Sequence, residues 1–332
     1  MKKLGIRILL IGILGIAVDQ AYGLFMGQVK DHSPDGRYYK ARYTLENAEE
    51  DVIIIGSSRG ERNYVPYQIE QALGMTCWNA SRGGQGLPYF RAIQEGLLSR
   101  YTPKLVILNI EADILEHPPF FQQMGFLRAF YWKNKPIRRI INEVSSTEKW
   151  KMYSQIYAYN SCYYYLLRPY LFPGLDGKNS DKGWKPSFGF WEDPGYPFEV
   201  VNDSKPLDNK SVSLFDELLE GFKAQGVKVV ISIAPNYGEE TISTSSLSYI
   251  QTMATANNVP LFNFSRDSIF TRNPSLYIDI EHLNVDGATR FTNMLMDSLK
   301  TQISSFRNSL HPLSDSEQAY QFKHTKKLHQ NH

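Results

Sequence analysis

The chain has 332 residues, 42% hydrophobic and 21% charged, enough to bury a large core as one enlarged domain or as a domain carrying an insertion. With 36 basic against 34 acidic side chains, the net charge of +2 gives no global pull toward nucleic acid or another polyanion. Cys77 and Cys162 are the only cysteines, which excludes a disulfide scaffold and a cysteine-rich metal site while leaving room for a single bridge.

Lys2, Lys3 and Arg7 precede a stretch from Ile8 to Val29 whose only formal charge before Lys30 is Asp19. As a helix this stretch reaches about 33 Å, long enough to cross a bilayer, and the leading basic residues would keep that end cytoplasmic. Residues 1–29 therefore read as an uncleaved membrane anchor, with the following domain outside the cytoplasm. A cleaved signal with a secreted product and a buried or surface helix of a cytosolic protein are the alternatives. Asp19 counts against immersion, because a carboxylate in hydrocarbon needs a partner. Residues 30–50 are polar and read as a connecting segment with a short helix near its end.

A strand is expected over Asp51 to Ile55, whose β-branched run from Val52 enters Gly56-Ser57-Ser58, the pattern of a buried strand followed by a sharp turn. A helix is expected over Pro66 to Leu73, a short strand over Thr76 to Trp78, and a helix opening at Pro88 and reaching Ser99. A buried strand is expected over Lys104 to Ile110. This alternation predicts right-handed crossovers and a mostly parallel sheet.

The order breaks at about residues 118–206. Residues 120–198 hold 21 of the chain's 44 aromatics, including Trp132, Trp150, Trp184 and Trp191, and residues 173–198 are rich in glycine and proline. An insertion of helices with an irregular lid fits this composition. Its aromatics could pack on the core or stack on sugar rings. Regular order returns with a helix over Ser211 to Gln225, a strand over Val227 to Ala234, a helix over Leu247 to Asn257, a strand over Val259 to Asn263 and a last helix over Val285 to Leu299. An α/β domain over residues 51–300 and a polar tail over 301–332 complete the division. His311, His324, His329 and His332 in the tail lack the spacing of a metal motif.

Three short segments carry candidate chemistry. Either hydroxyl of Gly56-Ser57-Ser58 could be raised above the carboxyl ends of the strands, where open α/β sheets bind ligands. In Asn79-Ala-Ser-Arg-Gly-Gly-Gln-Gly86, three glycines free backbone amides to approach a developing oxyanion, and the spacing matches no nucleotide-phosphate motif. Asp279-Ile-Glu-His282 places a carboxylate three residues before an imidazole, so that the acid can orient one ring nitrogen and leave the other for a hydroxyl. Arg59 and Arg82 are candidates to attract an acidic substrate.

In their order and spacing these segments resemble the SGNH or GDSL superfamily of hydrolases and acyltransferases, over roughly residues 51–117 and 207–299. The resemblance implies a flavodoxin-like, three-layer α/β/α fold. It implies Ser58 as nucleophile, Asp279 as orienter, His282 as general base, and the amides of Ser58 and Gly84 as oxyanion donors. Where the family usually carries GxND, this chain has Ile110-Glu-Ala-Asp113, with alanine at the asparagine position and Asn109 three places early as a possible substitute. Loss of such a donor costs about 3–4 kcal/mol of transition-state stabilisation. Ser57 replaces the usual aspartate, a change also seen in the membrane-associated and exopolysaccharide-modifying relatives that this chain looks like. They imply O-acyl, chiefly O-acetyl, esterase or acyltransferase action on an acylated glycan, with no cofactor or metal and with a membrane-bound acyltransferase as partner. A catalytically inactive glycan-binding or assembly protein of the same fold and a lipase or general carboxylesterase are the alternative functions.

Overall fold

The alternation of apolar side chains along each strand sorts them onto two faces of one sheet. Val52, Ile54, Leu105, Ile107 and Val230 point to one side, and Ile53, Ile55, Val106, Leu108 and Ile231 to the other. Both sides are covered, so these strands are apolar throughout, as parallel strands buried between helices are. The computed structural model describes residues 2–119, 121–160, 162–175, 181–192, 195, 197–203 and 205–302. The tail histidines lie outside them.

The described strands are β1 (Val52–Ile55), β2 (Cys77–Asn79), β3 (Leu105–Asn109), β4 (Glu199–Asn202), β5 (Lys228–Ile233), β6 (Glu239–Ser243) and β7 (Leu261–Asn263). Five of them form a wholly parallel sheet in the order β2-β1-β3-β5-β7, while β4 and β6 pair apart from it. The described helices are α1 (Lys2–Asp31), α2 (Gly36–Arg42), α3 (Ser58–Asn63), α4 (Pro66–Leu73), α5 (Leu87–Leu98), α6 (Lys135–Val144), α7 (Glu148–Lys151), α8 (Gln155–Tyr159), α9 (Tyr163–Leu171), α10 (Asn209–Ala224), α11 (Ser245–Ala256), α12 (Ser268–Thr271) and α13 (Val285–Gln302). Residues of α4, α12 and α13 cover one face of the sheet. The other is covered by α5, α10, the end of α1 and the buried aromatics of residues 121–166. The result is a three-layer α/β/α fold. Its strand order is that of flavodoxin-like sheets, in which the crevice between the ends of β1 and β3 is the topological switch point.

The expected strands and longer helices appear with shifts of a few residues at their ends. The structure adds α3, whose sequence SRGERN has no apolar period, and the β4–β6 pair, whose β4 residues are mostly exposed. Cys77 and Cys162 are both buried and unbridged. Among the insertion's aromatics, Phe126, Phe130, Tyr131, Tyr159 and Trp184 are buried, whereas Trp132, Trp150, Tyr153, Tyr163 and Tyr164 are exposed.

Helix α1 is long and apolar enough to cross a membrane. From Leu4 to Val18 its large apolar side chains are bare, and beyond Asp19 one face packs against α8 and α9. Asp19 itself is partnered: its carboxylate accepts from Ser154 Oγ (2.8 Å), Gln155 N (2.8 Å) and Ile156 N (2.9 Å), and so caps the start of α8. Gly23 is required one turn later, because a Cβ there would lie 2.4 Å from Gln155 Cγ. Losing a cap of this kind costs about 1 kcal/mol. Asp19→Ala should therefore lower the thermal unfolding midpoint by about 2–4 °C, and an unchanged midpoint would show that the cap contributes nothing.

Candidate active site

The switch-point crevice is built from the turns that follow β1, β2 and β3. After β1 the chain passes Gly56, where a Cβ would come within 2.7 Å of Asn109 Cβ, so only glycine lets the two strand ends meet. Ser57 then caps α3: its Oγ accepts from Arg59 N (3.3 Å) and donates to the Glu111 carboxylate in a short hydrogen bond. Ser58 occupies the first position of α3, half-buried, its hydroxyl without a hydrogen-bond partner among the described residues and its N–H without a helical acceptor. Of the two eligible serines, one is spent on the turn and the other is not.

The turn after β2 lies directly against Ser58. A Cβ on Gly83 would be 3.5 Å from Ser58 Cβ. Gly83 N donates to Glu61 Oε2 (3.0 Å), whose other oxygen takes Lys40 Nζ (3.1 Å) from α2. Gly84 follows at φ +71°, exposed, and its amide has no acceptor among the described residues. Asn79 holds the base of this turn: its Oδ1 accepts from Ser81 N, and its Nδ2 donates to Gly60 O and Tyr64 O. Burial pushes the Glu61 carboxyl up, but Lys40 and the Gly83 N–H outweigh it and hold the group below its ordinary value of 4.5. A carboxyl depressed on folding stabilises the fold above the unfolded value, and that contribution is lost as pH falls through the lower folded value. Glu61→Gln should flatten the acid side of the stability curve below about pH 4.5, as read from denaturant midpoints across pH. An acid limb of unchanged slope would contradict this.

The third part comes from the loop before α13. Asp279 accepts His282 Nδ1 at 2.8 and 2.9 Å through its two oxygens, and its Oδ1 also takes the backbone N–H groups of Glu281 (2.9 Å) and His282 (2.8 Å). Burial raises the Asp279 carboxyl, yet the imidazole and the backbone donors bring it below the usual aspartate value, so it stays ionised. His282 Nε2 is shielded from solvent and has no hydrogen-bond partner among the described residues. The loop is laced to α3: Asn63 Oδ1 accepts from Leu283 N (3.0 Å), and Asn63 Nδ2 donates to Glu281 O (3.3 Å), one contact on each side of the histidine. Ser58 and His282 thus belong to two segments held in register, although no hydrogen bond joins them.

A strap from the insertion braces the same parts. Asn79 N donates to Lys182 O, Trp184 Nε1 to Arg62 O, Lys185 N to Glu61 O, and Val285 N to Ser187 O, so residues 182–187 run from β2 across α3 to the start of α13.

The remaining candidates are engaged elsewhere. Asn109 directs its amide nitrogen to Tyr64 OH (3.1 Å) and Ser232 O (3.4 Å) at the floor of the crevice. In the segment after β3, Glu111 holds Ser57 and lies 3.6 Å from Arg59 Nε, the Ala112 carbonyl accepts from Thr244, and Asp113 pairs with exposed His117. Arg59 Nη1 donates to Asn236 Oδ1 (2.7 Å), and the buried Arg82 guanidinium lies over the Phe126 ring. An open cleft of about 440 Å³ lies alongside, lined by Ser57, Gly84, Glu111, Asp113, His117 and Glu281. A larger groove of about 770 Å³ lies among α5, α6 and α10, where Arg91, Glu95, Arg139 and Glu217 are linked in ion pairs and supply no nucleophile. Among the described residues no group of three His, Cys, Asp or Glu side chains could hold a metal ion.

Sequence reasoning passed over Asn63, Glu61, Lys40 and Glu111. Each acts across the fold, and none has a local signal apart from Glu61, three residues after Ser58 on the same short helix.

The architecture is thus a doubly wound α/β sheet with a serine turn and an Asp–His loop at its carboxyl edge. No protein-family model matches the chain, and no curated protein does. Among solved structures it is similar to a protein provisionally named a lipolytic member of the G-D-S-L family from Desulfitobacterium hafniense (9% identity, TM-score 0.38, covering 74% of this chain and 97% of that one). It is also similar to a protein provisionally named an acylhydrolase from Bacteroides fragilis (12%, TM-score 0.37, covering 83% and 94%). A third is an active-site mutant of a family two carbohydrate esterase from Clostridium thermocellum (10%, TM-score 0.33, covering 77% and 64%).

Proposed function

We propose that this protein is a serine-dependent O-acyl esterase or acyltransferase, O-acetyl groups on cell-surface or extracellular carbohydrate being its substrates, tethered to a membrane by α1 with the α/β domain on the extracytoplasmic side. The observation that carries the reading is His282 Nε2: shielded, unpartnered, and fixed in orientation by an ionised Asp279 at its other nitrogen. A buried ring nitrogen with no partner costs stability unless something else uses it.

In the proposed reaction the substrate brings Ser58 Oγ and His282 Nε2 within hydrogen-bond reach, a contact that commonly tightens only in the complex. His282 accepts the Ser58 proton as Oγ attacks the ester carbonyl, and the oxyanion is held by the amides of Ser58 and Gly84. The tetrahedral adduct collapses, the sugar oxygen leaves with the proton from His282, and an acyl group remains on Ser58. Water then releases the acid, or a second hydroxyl accepts the acyl group, by the same steps reversed. A membrane-bound acyltransferase fits as the partner that supplies or receives such groups.

With Arg59 tied to Glu111 and Asn236, and Arg82 laid over Phe126, the charged groups left facing the cleft are mainly carboxylates. This favours a neutral glycan over an acidic one. The competing reading, a catalytically silent glycan-binding or assembly protein, draws on the engaged Asn109 amide and on the missing Ser58–His282 contact. Acetate release from defined O-acetylated oligosaccharides and from p-nitrophenyl acetate by the full chain separates the two. Turnover is expected, and its absence across all substrates at neutral pH would favour the silent protein.

A further inference from the structure

The uncharged part of α1 between Arg7 and Asp19 is too short for a bilayer. Ile8 to Val18 spans about 16 Å, roughly half of a hydrocarbon core. The bare surface of the helix continues, however, with Leu24 75% and Phe25 60% exposed beyond Asp19. Ile8 to Val29 reaches about 33 Å, so a full span that leaves Lys2, Lys3 and Arg7 outside is met only if the membrane extends past the level of Asp19. Asp19 can lie at that depth because Ser154 Oγ and the amides of Gln155 and Ile156 satisfy it.

The insertion at that level carries an apolar face. Tyr153 O lies 3.4 Å from Gln20 Nε2, which puts residues 153–156 beside Asp19 and Gln20. Tyr153 is 63% exposed, Ile156 54% and Trp150 65%. Trp150 stacks on Tyr153, and Trp132 packs tilted against Tyr153 with its indole N–H donated to Met152 O. Lys149 lies over the Trp150 ring, and exposed Lys133 and Lys151 flank the cluster. Exposed aromatics with lysines at their edge, beside a bare apolar helix, are the composition of a membrane–water interface.

We propose that Trp132, Trp150, Tyr153 and Ile156 form a lipid-facing collar that seats the α/β domain directly on the bilayer crossed by α1. The occupant of this surface is the acyl-chain and headgroup boundary of that same membrane. The proposal rests on the anchor reading above. It gives part of the insertion's aromatic content a role that neither core packing nor sugar stacking supplies, and it places the switch-point crevice at a fixed height above the membrane.

The test uses the full chain in nanodiscs, with an environment-sensitive fluorophore on Ile11→Cys or on Lys149→Cys. The two native cysteines are buried and do not compete for label. Lipids brominated deep in the chain should quench the probe at residue 11, and lipids brominated near the glycerol should remove most of the emission at residue 149. Adding Trp150→Ser and Tyr153→Ser should abolish quenching at 149 and leave it intact at 11. Quenching at 11 with none at 149 in the otherwise native chain overturns the collar and leaves the anchor standing, whereas no quenching at either site overturns both. Emission at 149 that responds to a soluble oligosaccharide and not to brominated lipid assigns the face to glycan and overturns the collar.

Discussion

Replacing Ser58 with alanine should reduce ester hydrolysis by a factor on the order of 10⁴ or more, with the fold and its unfolding midpoint retained. On the proposed mechanism the removed oxygen forms the new bond, and what survives without it is the smaller contribution of binding and oxyanion contacts. The neighbouring substitution is the internal control. Ser57 Oγ is held by Glu111 and accepts Arg59 N, so Ser57→Ala should cost about 1 kcal/mol as a lost cap while leaving turnover within about tenfold. Steady-state rates and melting curves on the two variants check both statements. The reverse pattern, with Ser57→Ala inactive and Ser58→Ala active, would exchange their roles.

Asp279→Asn is the second large effect, and its mechanism is tautomeric. The Asp279 oxygens accept His282 Nδ1 and the His282 backbone N–H together. An asparagine can accept the backbone N–H with its carbonyl oxygen, which turns its NH₂ toward Nδ1. That nitrogen must then be an acceptor, so the proton moves to Nε2, the position that takes the proton of Ser58 in the proposed mechanism. A loss of about 10⁴ in kcat follows from the wrong tautomer with the geometry nearly unchanged. A loss below tenfold would mean that Asp279 only positions the loop.

The parts of the fold that could be read in the sequence were local. Val52 to Ile55 with its glycine turn, Pro66 and Pro88 at helix starts, and the Asp279–His282 spacing each lie within a few residues of chain, and periodicity or turn chemistry marks them. The support of the site is not local. Ser57 meets Glu111 across 54 positions, Lys40 meets Glu61 across 21, and Asn63 meets Leu283 across 220. No pattern of apolar residues announces such pairs. Asp19 shows the same limit: a lone carboxylate in an apolar stretch argued against immersion, and only the fold reveals the donors of α8 around it. Helix α3 was missed because its six residues are held by a cap and by tertiary contacts, where propensity alone would not sustain so short a helix.

The segment after β3 illustrates a different point. Ile110 to Asp113 lacks the expected asparagine, and the structure shows the positions used for support: Glu111 restrains the serine turn and Arg59, and Ala112 O anchors Thr244. With the Asn109 amide nitrogen directed to Tyr64 and Ser232, the proposed mechanism relies on backbone amides for the oxyanion. On the proposed mechanism, turnover is therefore slower than that of an enzyme with a third donor, by the roughly 10²- to 10³-fold that one donor contributes.

The most direct measurement is covalent. A fluorophosphonate added to the full chain at neutral pH should leave one adduct, mapped by peptide mass spectrometry to Ser58, and the adduct should be absent from His282→Ala. An adduct on Ser57, or none at all on a preparation that hydrolyses acetyl esters, would contradict the account.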